Sequence, residues 1–147
     1  MCKQLIHFTN HITGGDILHS SEIITENGQL LQGEPLPVPL YYHAIASVNS
    51  TTSLLSGGCT IHQMDCGSPL TFFYNHVTQV FTSGPSLNIG RNYHASGTII
   101  DKVTKEKFVV VTGGESYNDY NGNYYIDSTE ILVDQQWQEG TKYMLNE

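Results

Sequence analysis

The sequence predicts an all-β fold, and three observations lead to this prediction. Short runs of β-branched, aromatic and apolar residues alternate with turn residues, as at 107–112, where a double glycine follows the run. A marker that ends in such a double glycine occurs three times along the 147 residues. The composition includes 14 Gly, 9 Tyr, 5 Phe and 1 Trp, which is typical of a folded, turn-rich chain and not of a disordered one.

Three kinds of marker recur in one order and indicate an internal repeat. The double-glycine marker lies at 11–15, 54–58 and 110–114, each time with a hydroxyl residue directly before the glycines. A large apolar residue three positions before a glycine follows each of them: Leu30 before Gly33, Phe81 before Gly84 and Trp137 before Gly140. A His-Ala pair begins ten residues after the first two of these glycines, at His43 and His94. Markers in a fixed order predict stacked strand units.

The first unit, 1–33, is the weakest. It has no His-Ala pair before its double glycine, and 7–12 is a poor strand that contains two His residues. The prolines at 35, 37 and 39 exclude a helix after it and predict an extended connector.

The second unit, 34–84, has a complete set of markers. We expect strands at Ala44–Val48, Ser53–Ser56 and Thr71–Val77, and a fourth strand around Phe81.

The third unit, 85–140, has the same markers with longer polar joints. We expect strands at Thr98–Ile100 and Lys107–Thr112, with the polar stretch 101–107 as a hairpin tip. Asp127-Ser128-Thr129-Glu130 could instead cap a short helix over 127–139. The corresponding stretch of the second unit is a poor helix start, and we therefore favour strands.

These markers resemble the kelch repeat, and 74–87 followed by 90–95 looks like the junction between two kelch units. The resemblance implies propeller blades of four antiparallel strands, in which the His-Ala strand is innermost and the double-glycine strand second. The strand that carries the Trp would be outermost. In this sequence that residue is Trp137, with Phe81 and Leu30 in its place in the other units. We expect the large side chain to fill the wedge between adjacent sheets.

The resemblance also divides the chain. Residues 1–33 would be a partial blade without its innermost strand, 34–84 and 85–140 would be complete blades, and 141–147 would lead toward a missing one. A closed propeller has about 4–8 blades. The fold class expected is therefore an all-β, kelch-type propeller with an incomplete ring of about three blades. We favour a fragment of a longer protein, with self-association to complete the ring as the alternative.

Charge and composition exclude several classes of function. The chain has 6 basic and 14 acidic residues, a net charge of −8, which argues against a nucleic-acid binder. It has no apolar run long enough for a membrane span and no secretory signal at its N-terminus, so we expect a cytoplasmic protein. The three cysteines, Cys2, Cys59 and Cys66, would then be reduced thiols. A Cys59–Cys66 disulfide in a secreted parent chain is the alternative.

No motif indicates a reaction. Cys59, His62, Asp65 and Cys66 have spacing that zinc accepts, but they offer three soft or borderline ligands where a tetrahedral site needs four. We expect no bound metal, no cofactor and no enzyme activity. His43 and His94 recur with the repeat, and a structural role for them, such as a ring nitrogen bonded to backbone, explains that recurrence best.

The function expected is a protein–protein interaction module that binds through its blade loops. In the kelch family the loops before the innermost strands line the rim of the central channel, which implies partner contacts at Tyr42, Arg91 and Tyr93. The loop 115–125 adds Tyr117 and Tyr120 and resembles a paratope in composition, although a solvated connector explains it equally well. The alternative function is a fragment of a kelch-type enzyme, a metal-dependent oxidase or lyase, whose site lies partly in missing blades.

Overall fold

The computed structural model describes residues 5–7, 20–24, 27–60, 66–118 and 122–140, and within them the chain forms strands and no helix. The strands are β1 (Leu5–His7), β2 (Glu22–Ile24), β3 (Leu30–Gln32), β4 (Ala44–Ser47), β5 (Thr52–Ser56), β6 (Thr71–Asn75), β7 (Val80–Ser83), β8 (Ala95–Ile100), β9 (Lys107–Thr112), β10 (Glu115–Asn118), β11 (Gly122–Tyr125), β12 (Thr129–Val133) and β13 (Gln136–Glu139). The predicted all-β fold is confirmed. None of the described residues belongs to a helix that could cross a membrane.

Two sheets have four antiparallel strands each, in the orders β4-β5-β6-β7 and β8-β9-β12-β13. A three-stranded sheet, β1-β2-β3, precedes them, and β10 pairs with β11 in a separate hairpin. In both four-stranded sheets the strand after the His-Ala marker lies at one edge, and the strand with Phe81 or Trp137 lies at the other. That these sheets are blades of a propeller stays a prediction, as do the unit boundaries. The double glycine at 14–15 lies outside the described residues.

The strand ends depend on side chains that cap turns. β6 stops at Asn75, two residues before the predicted end, because the Asn75 Oδ1 accepts hydrogen bonds from the amides of Val77 (2.9 Å) and Thr78 (3.0 Å). Asp101 does the same at the predicted hairpin tip, where its Oδ1 accepts from the amides of Val103 and Thr104, both at 2.7 Å.

The favoured strands over 127–139 are confirmed, and the expectation of a loop over 115–125 is wrong. The possible helix over 127–139 is the hairpin of β12 and β13, whose turn residues Asp134 and Gln135 both have positive φ, 48° and 61°. Two left-handed residues in succession are what a tight two-residue hairpin turn requires. The stretch 115–125 is also a hairpin and not an irregular loop, with Glu115 opposite Tyr125 in the ladder.

A hydrogen bond that occurs once in each sheet defines equivalent positions in the three sheets. The amides of the marker glycines Gly33, Gly84 and Gly140 donate to the carbonyls of Ser21, Thr71 and Thr129, at 2.8, 2.9 and 2.7 Å. Ser21 stands directly before β2, and Thr71 and Thr129 are the first residues of β6 and β12. Counting from these three residues therefore aligns β2 with β6 and β12.

The sheets pack face to face in chain order. Ile23 of the first sheet and Tyr74 of the second form one buried cluster, with Phe81 against it. Between the second and third sheets lies a larger cluster, formed by Ala46, Leu54, Leu87, Val109, Val111 and Trp137, with Val48, Phe73 and Leu132 against it. Trp137 is 6% exposed, and its indole Nε1 donates to the carbonyl of Pro85 at 2.8 Å. The prediction that Trp137 fills the space between adjacent sheets is confirmed.

Candidate partner-binding surface

The segments that enter β4 and β8 meet at one end of the stacked sheets. The Tyr93 amide donates to the Tyr42 carbonyl at 3.1 Å, and the Gly58 amide donates to the Arg91 carbonyl at 2.8 Å. Asn92 and Glu115 exchange two backbone hydrogen bonds, at 2.8 and 2.9 Å, which attach the β10–β11 hairpin to the same end. We call the surface formed by Tyr41, Tyr42 and Tyr93 the tyrosine end.

Tyr42 and Tyr93 form a stacked pair at this end. Their ring centroids lie 3.9 Å apart with 28° between the planes, and Tyr41 meets Tyr42 edge-on at 5.0 Å. Tyr42 remains 44% exposed and Tyr93 56%. A hydrogen bond with Tyr42 is the largest of the effects that raise the pKa of Tyr93 to about 12, so this phenol is protonated at neutral pH.

The backbone under both rings is strained. Tyr42 has φ 58° and Tyr93 has φ 51°, in the left-handed region that costs a residue with a side chain roughly 1–2 kcal/mol. Large aromatic residues rarely adopt this conformation, and strained residues cluster at functional sites. The fold therefore holds two large apolar rings in a costly conformation at the surface.

Arg91 lies in the interior, which corrects its expected place among the surface contacts. Its side chain is 0% exposed and its Nη2 forms an ion pair with the Oε1 of Glu130 at 2.8 Å. The Nη1 donates to the carbonyls of Gly113 (3.0 Å) and Ser128 (3.1 Å). A guanidinium that binds only its own chain cannot contact a partner in this conformation.

The ion pair instead positions the segment that carries Tyr93. The Glu130 carboxylate also accepts hydrogen bonds from the amides of Asn88 (2.7 Å) and Ile89 (3.1 Å). The Asn88 side chain donates to the carbonyl of Trp137 at 2.8 Å. The segment before β8 is thus tied to β12 and β13 at several points, which fixes the start of β8 and the backbone of Tyr93.

The other expected contact residues lie on the hairpin. Tyr117, on β10, is 36% exposed, and Tyr120 lies outside the described residues. Tyr124 and Tyr125 on β11 belong to the same Tyr-rich stretch and are 39% and 86% exposed. Tyr41 lies in the segment directly before β4, beside Tyr42.

His43 and His94 have structural positions, as expected. The His43 Nδ1 bonds the carbonyl of Leu40 at 3.2 Å, and the His94 Nε2 bonds the hydroxyl of Ser56 on the neighbouring sheet at 2.9 Å. Burial lowers the pKa of His43. Burial above all, with smaller effects of Arg91 and His43, lowers the pKa of His94 to about 4. The His94 ring is therefore neutral at pH 7.

Glycines of two double-glycine markers lie against the marker residue His94. A Cβ on Gly57, which has φ 63°, would lie 2.6 Å from the Cε1 of His94, and a Cβ on Gly114 would lie 2.9 Å from the Cβ of His94. His94 fits between two sheets because both glycines leave it room.

Cys59 and Cys66 are joined by a disulfide, so the expectation of reduced thiols is wrong for this pair. The bond removes two of the donors considered for zinc, and the other two, His62 and Asp65, lie outside the described residues. Within the described part of the chain, no group of three or more His, Cys, Asp or Glu residues could hold a metal ion. Disulfides persist mainly in oxidising compartments, and this bond is the one that the alternative of a secreted parent chain predicts.

Comparison with known proteins adds no family. No protein-family model and no curated protein matches the sequence.

Proposed function

We propose that the chain is a run of kelch-type blades and that it binds a protein partner at the tyrosine end. The order of strands supports the first part. Each four-stranded sheet has the His-Ala strand at one edge, the double-glycine strand second and the strand with Trp137 or Phe81 at the other edge. This is the arrangement that the kelch resemblance implies for one blade, and consecutive sheets pack face to face as neighbouring blades would.

The exposed, stacked pair of Tyr42 and Tyr93 carries the second part. Tyrosine is enriched at the centres of protein interfaces, because its ring buries a large area at a small cost in side-chain entropy. Here the two rings stack on each other, so they lose little further freedom when a partner covers them. The net charge of −8 favours a partner whose contact surface is basic.

Affinity capture with matched variants tests this proposal. The test protein is Tyr42→Asn/Tyr93→Asn, which removes both rings and keeps residues that tolerate a left-handed backbone. The control is Val103→Asn, which changes a residue 89% exposed in the β8–β9 turn, at the other end of the strands. We expect a protein captured by the wild type and by the control, and bound at least tenfold more weakly by the double variant.

Equal binding by all three proteins would contradict a site at the tyrosine end. Circular dichroism spectra of the three proteins establish that the double variant keeps its sheets, so that a loss of binding reflects the missing rings.

A further inference from the structure

Consecutive sheets in this chain meet through one recurring arrangement. We count positions from the aligned residues Ser21, Thr71 and Thr129. The residue at position +2 faces the following sheet in the chain, and the residue at position +3 faces the preceding sheet. At the first interface these residues are Ile23 and Tyr74, each 1% exposed. At the second they are Phe73 and Leu132, which pack against one cluster. The outer-strand residue, Phe81 or Trp137, completes each interface.

The last sheet has the same apolar positions on the side away from the second sheet, and no further sheet packs there among residues 5–7, 20–24, 27–60, 66–118 and 122–140. Ile131 stands at the position of Ile23 and Phe73, and it pairs with Val110 across the ladder. In the second sheet the equivalent pair is Phe73 and Leu54, and Leu54 is fully buried by the third sheet. Ile131 and Val110 are partly exposed and belong to none of the buried clusters formed by the described residues.

At the other end of the stack, the first sheet has its own residues at the positions that face a preceding sheet in the other two sheets. Ile24 stands at the position of Tyr74 and Leu132, and it pairs with Leu30, which stands at the position of Phe81 and Trp137. Leu30 is 59% exposed, whereas Trp137 is 6% exposed. The described residues therefore include two apolar faces that correspond to the two sides of the internal interfaces.

We infer that these faces bind each other between copies of the chain, head to tail. Ile24 and Leu30 of one copy pack on Ile131 and Val110 of another, as Tyr74 and Phe81 pack on Ile23 within one copy. The two faces differ, so the contact is heterologous, and copies joined through it either close into a ring or extend an open chain. The net charge of −8 on each copy opposes association, so added salt strengthens it.

The number of strands sets the extent of the contact. The first sheet has three strands, which align with β9, β12 and β13 of the last sheet. The edge strand β8 then stays uncovered, with Ile99, which is 48% exposed. An occupant with four strands would cover Ile99 as well, so this residue distinguishes a second copy from a further unit of another origin.

Two complementary variants test the inference by sedimentation velocity over a range of concentrations. Leu30→Asp blocks the face of the first sheet, and Ile131→Asp blocks the face of the last. We expect the wild-type mass to rise with concentration to that of a dimer or a larger assembly, and each variant alone to remain a monomer. An equimolar mixture of the two has one intact face of each kind, and we expect it to form dimers and nothing larger.

The control is Ile99→Asp, which we expect to associate within twofold of the wild type. Circular dichroism establishes that each variant keeps its sheets. A wild type that is monomeric at every concentration would overturn the inference, as would a mixture that stays monomeric. Loss of association in Ile99→Asp would also overturn it, because the occupant would then reach β8.

Discussion

The two four-stranded sheets fill the same interior position with opposite chemistry. Three residues before each His-Ala marker stands Leu40 in one unit and Arg91 in the other. One residue after the aligned Thr71 and Thr129 stands Phe72 in one and Glu130 in the other. Leu40 and Phe72 belong to one apolar cluster, at 1% and 6% exposure. Arg91 and Glu130 form an ion pair at 0% and 1% exposure.

The difference shows that these interior positions require side chains that fill the space, whether the side chains are apolar or form an ion pair. A buried ion pair recovers most of the cost of its desolvation only when both partners are present and their remaining groups are bonded. Arg91 and Glu130 meet this condition, because they also bond the backbone of Ile89, Gly113 and Ser128. The apolar pair needs no such partners. The ion pair adds something that the apolar pair lacks, since it ties the segment before Tyr93 to β12.

The largest effect expected from this comparison comes from breaking the ion pair. Arg91→Leu leaves Glu130 buried without its counter-charge and should lower the free energy of unfolding by about 3–5 kcal/mol. The double variant Arg91→Leu/Glu130→Phe copies the apolar pair of the other sheet, and we expect it to recover about 2 kcal/mol of that loss. Urea unfolding followed by the fluorescence of Trp137, the one Trp in the chain, measures both.

A single variant that loses less than about 1 kcal/mol would contradict the account of a buried charge. A double variant no more stable than Arg91→Leu would show instead that the two sheets do not tolerate the same chemistry at this position.

The outer strands give a smaller contrast. Trp137→Ala removes a side chain that is 6% exposed in the larger cluster and that donates a hydrogen bond to Pro85, and we expect a loss of about 3 kcal/mol. Phe81 is partly exposed at the equivalent place. Phe81→Ala should lower the free energy of unfolding by about 1–2 kcal/mol, because less apolar surface is buried from water there than at Trp137. Urea unfolding followed by circular dichroism compares the two variants. Equal losses would mean that the two interfaces are equally well packed.

Local signals predicted strands of the two four-stranded sheets, and the kelch resemblance implied their order, whereas the hairpin of β10 and β11 was not expected. The markers repeat, and hydroxyl residues, glycines and large apolar residues constrain the backbone within a few positions of themselves. The tyrosine pair was also predictable, because Tyr42 and Tyr93 stand directly before recurring histidines. The ring stacking and the left-handed backbone beneath it were not visible in the sequence.

The error at Arg91 arises because its interacting partner is distant in the chain. Arg91 looked like a surface contact because Glu130, which buries it, lies 39 residues away. The hairpin at 115–125 has local partners, but its composition, rich in Asn, Gly and Tyr, is typical of a loop as well. The sequence leaves the pairing of Cys59 with Cys66 open, because it contains no information on the redox state of a thiol.

The two marker histidines provide the last test of the comparison, through pH. The pKa of His94 is about 4 in the folded chain and 6.5 as its ordinary value, because the ring is buried beside Arg91 and His43. Above pH 6.5 the ring is neutral in both states and its contribution to stability is complete. As pH falls from 6.5 toward 4, the unfolded chain takes up a proton that the folded chain does not. Stability must therefore fall in that range, by about 2–3 kcal/mol for this group.

The variant His94→Gln should lose most of that pH dependence, and His43→Gln a smaller part of it, since burial lowers the pKa of His43 in the same direction. Urea unfolding of the three proteins between pH 7.5 and pH 4, on roughly half-unit steps, measures the slopes. All other titratable groups are the same in the three proteins. The contribution of each histidine is therefore the difference between the slope of its variant and the slope of the wild type. Equal slopes in the wild type and His94→Gln would mean that His94 is solvated and that the contact between the second and third sheets is looser than their hydrogen bonds indicate.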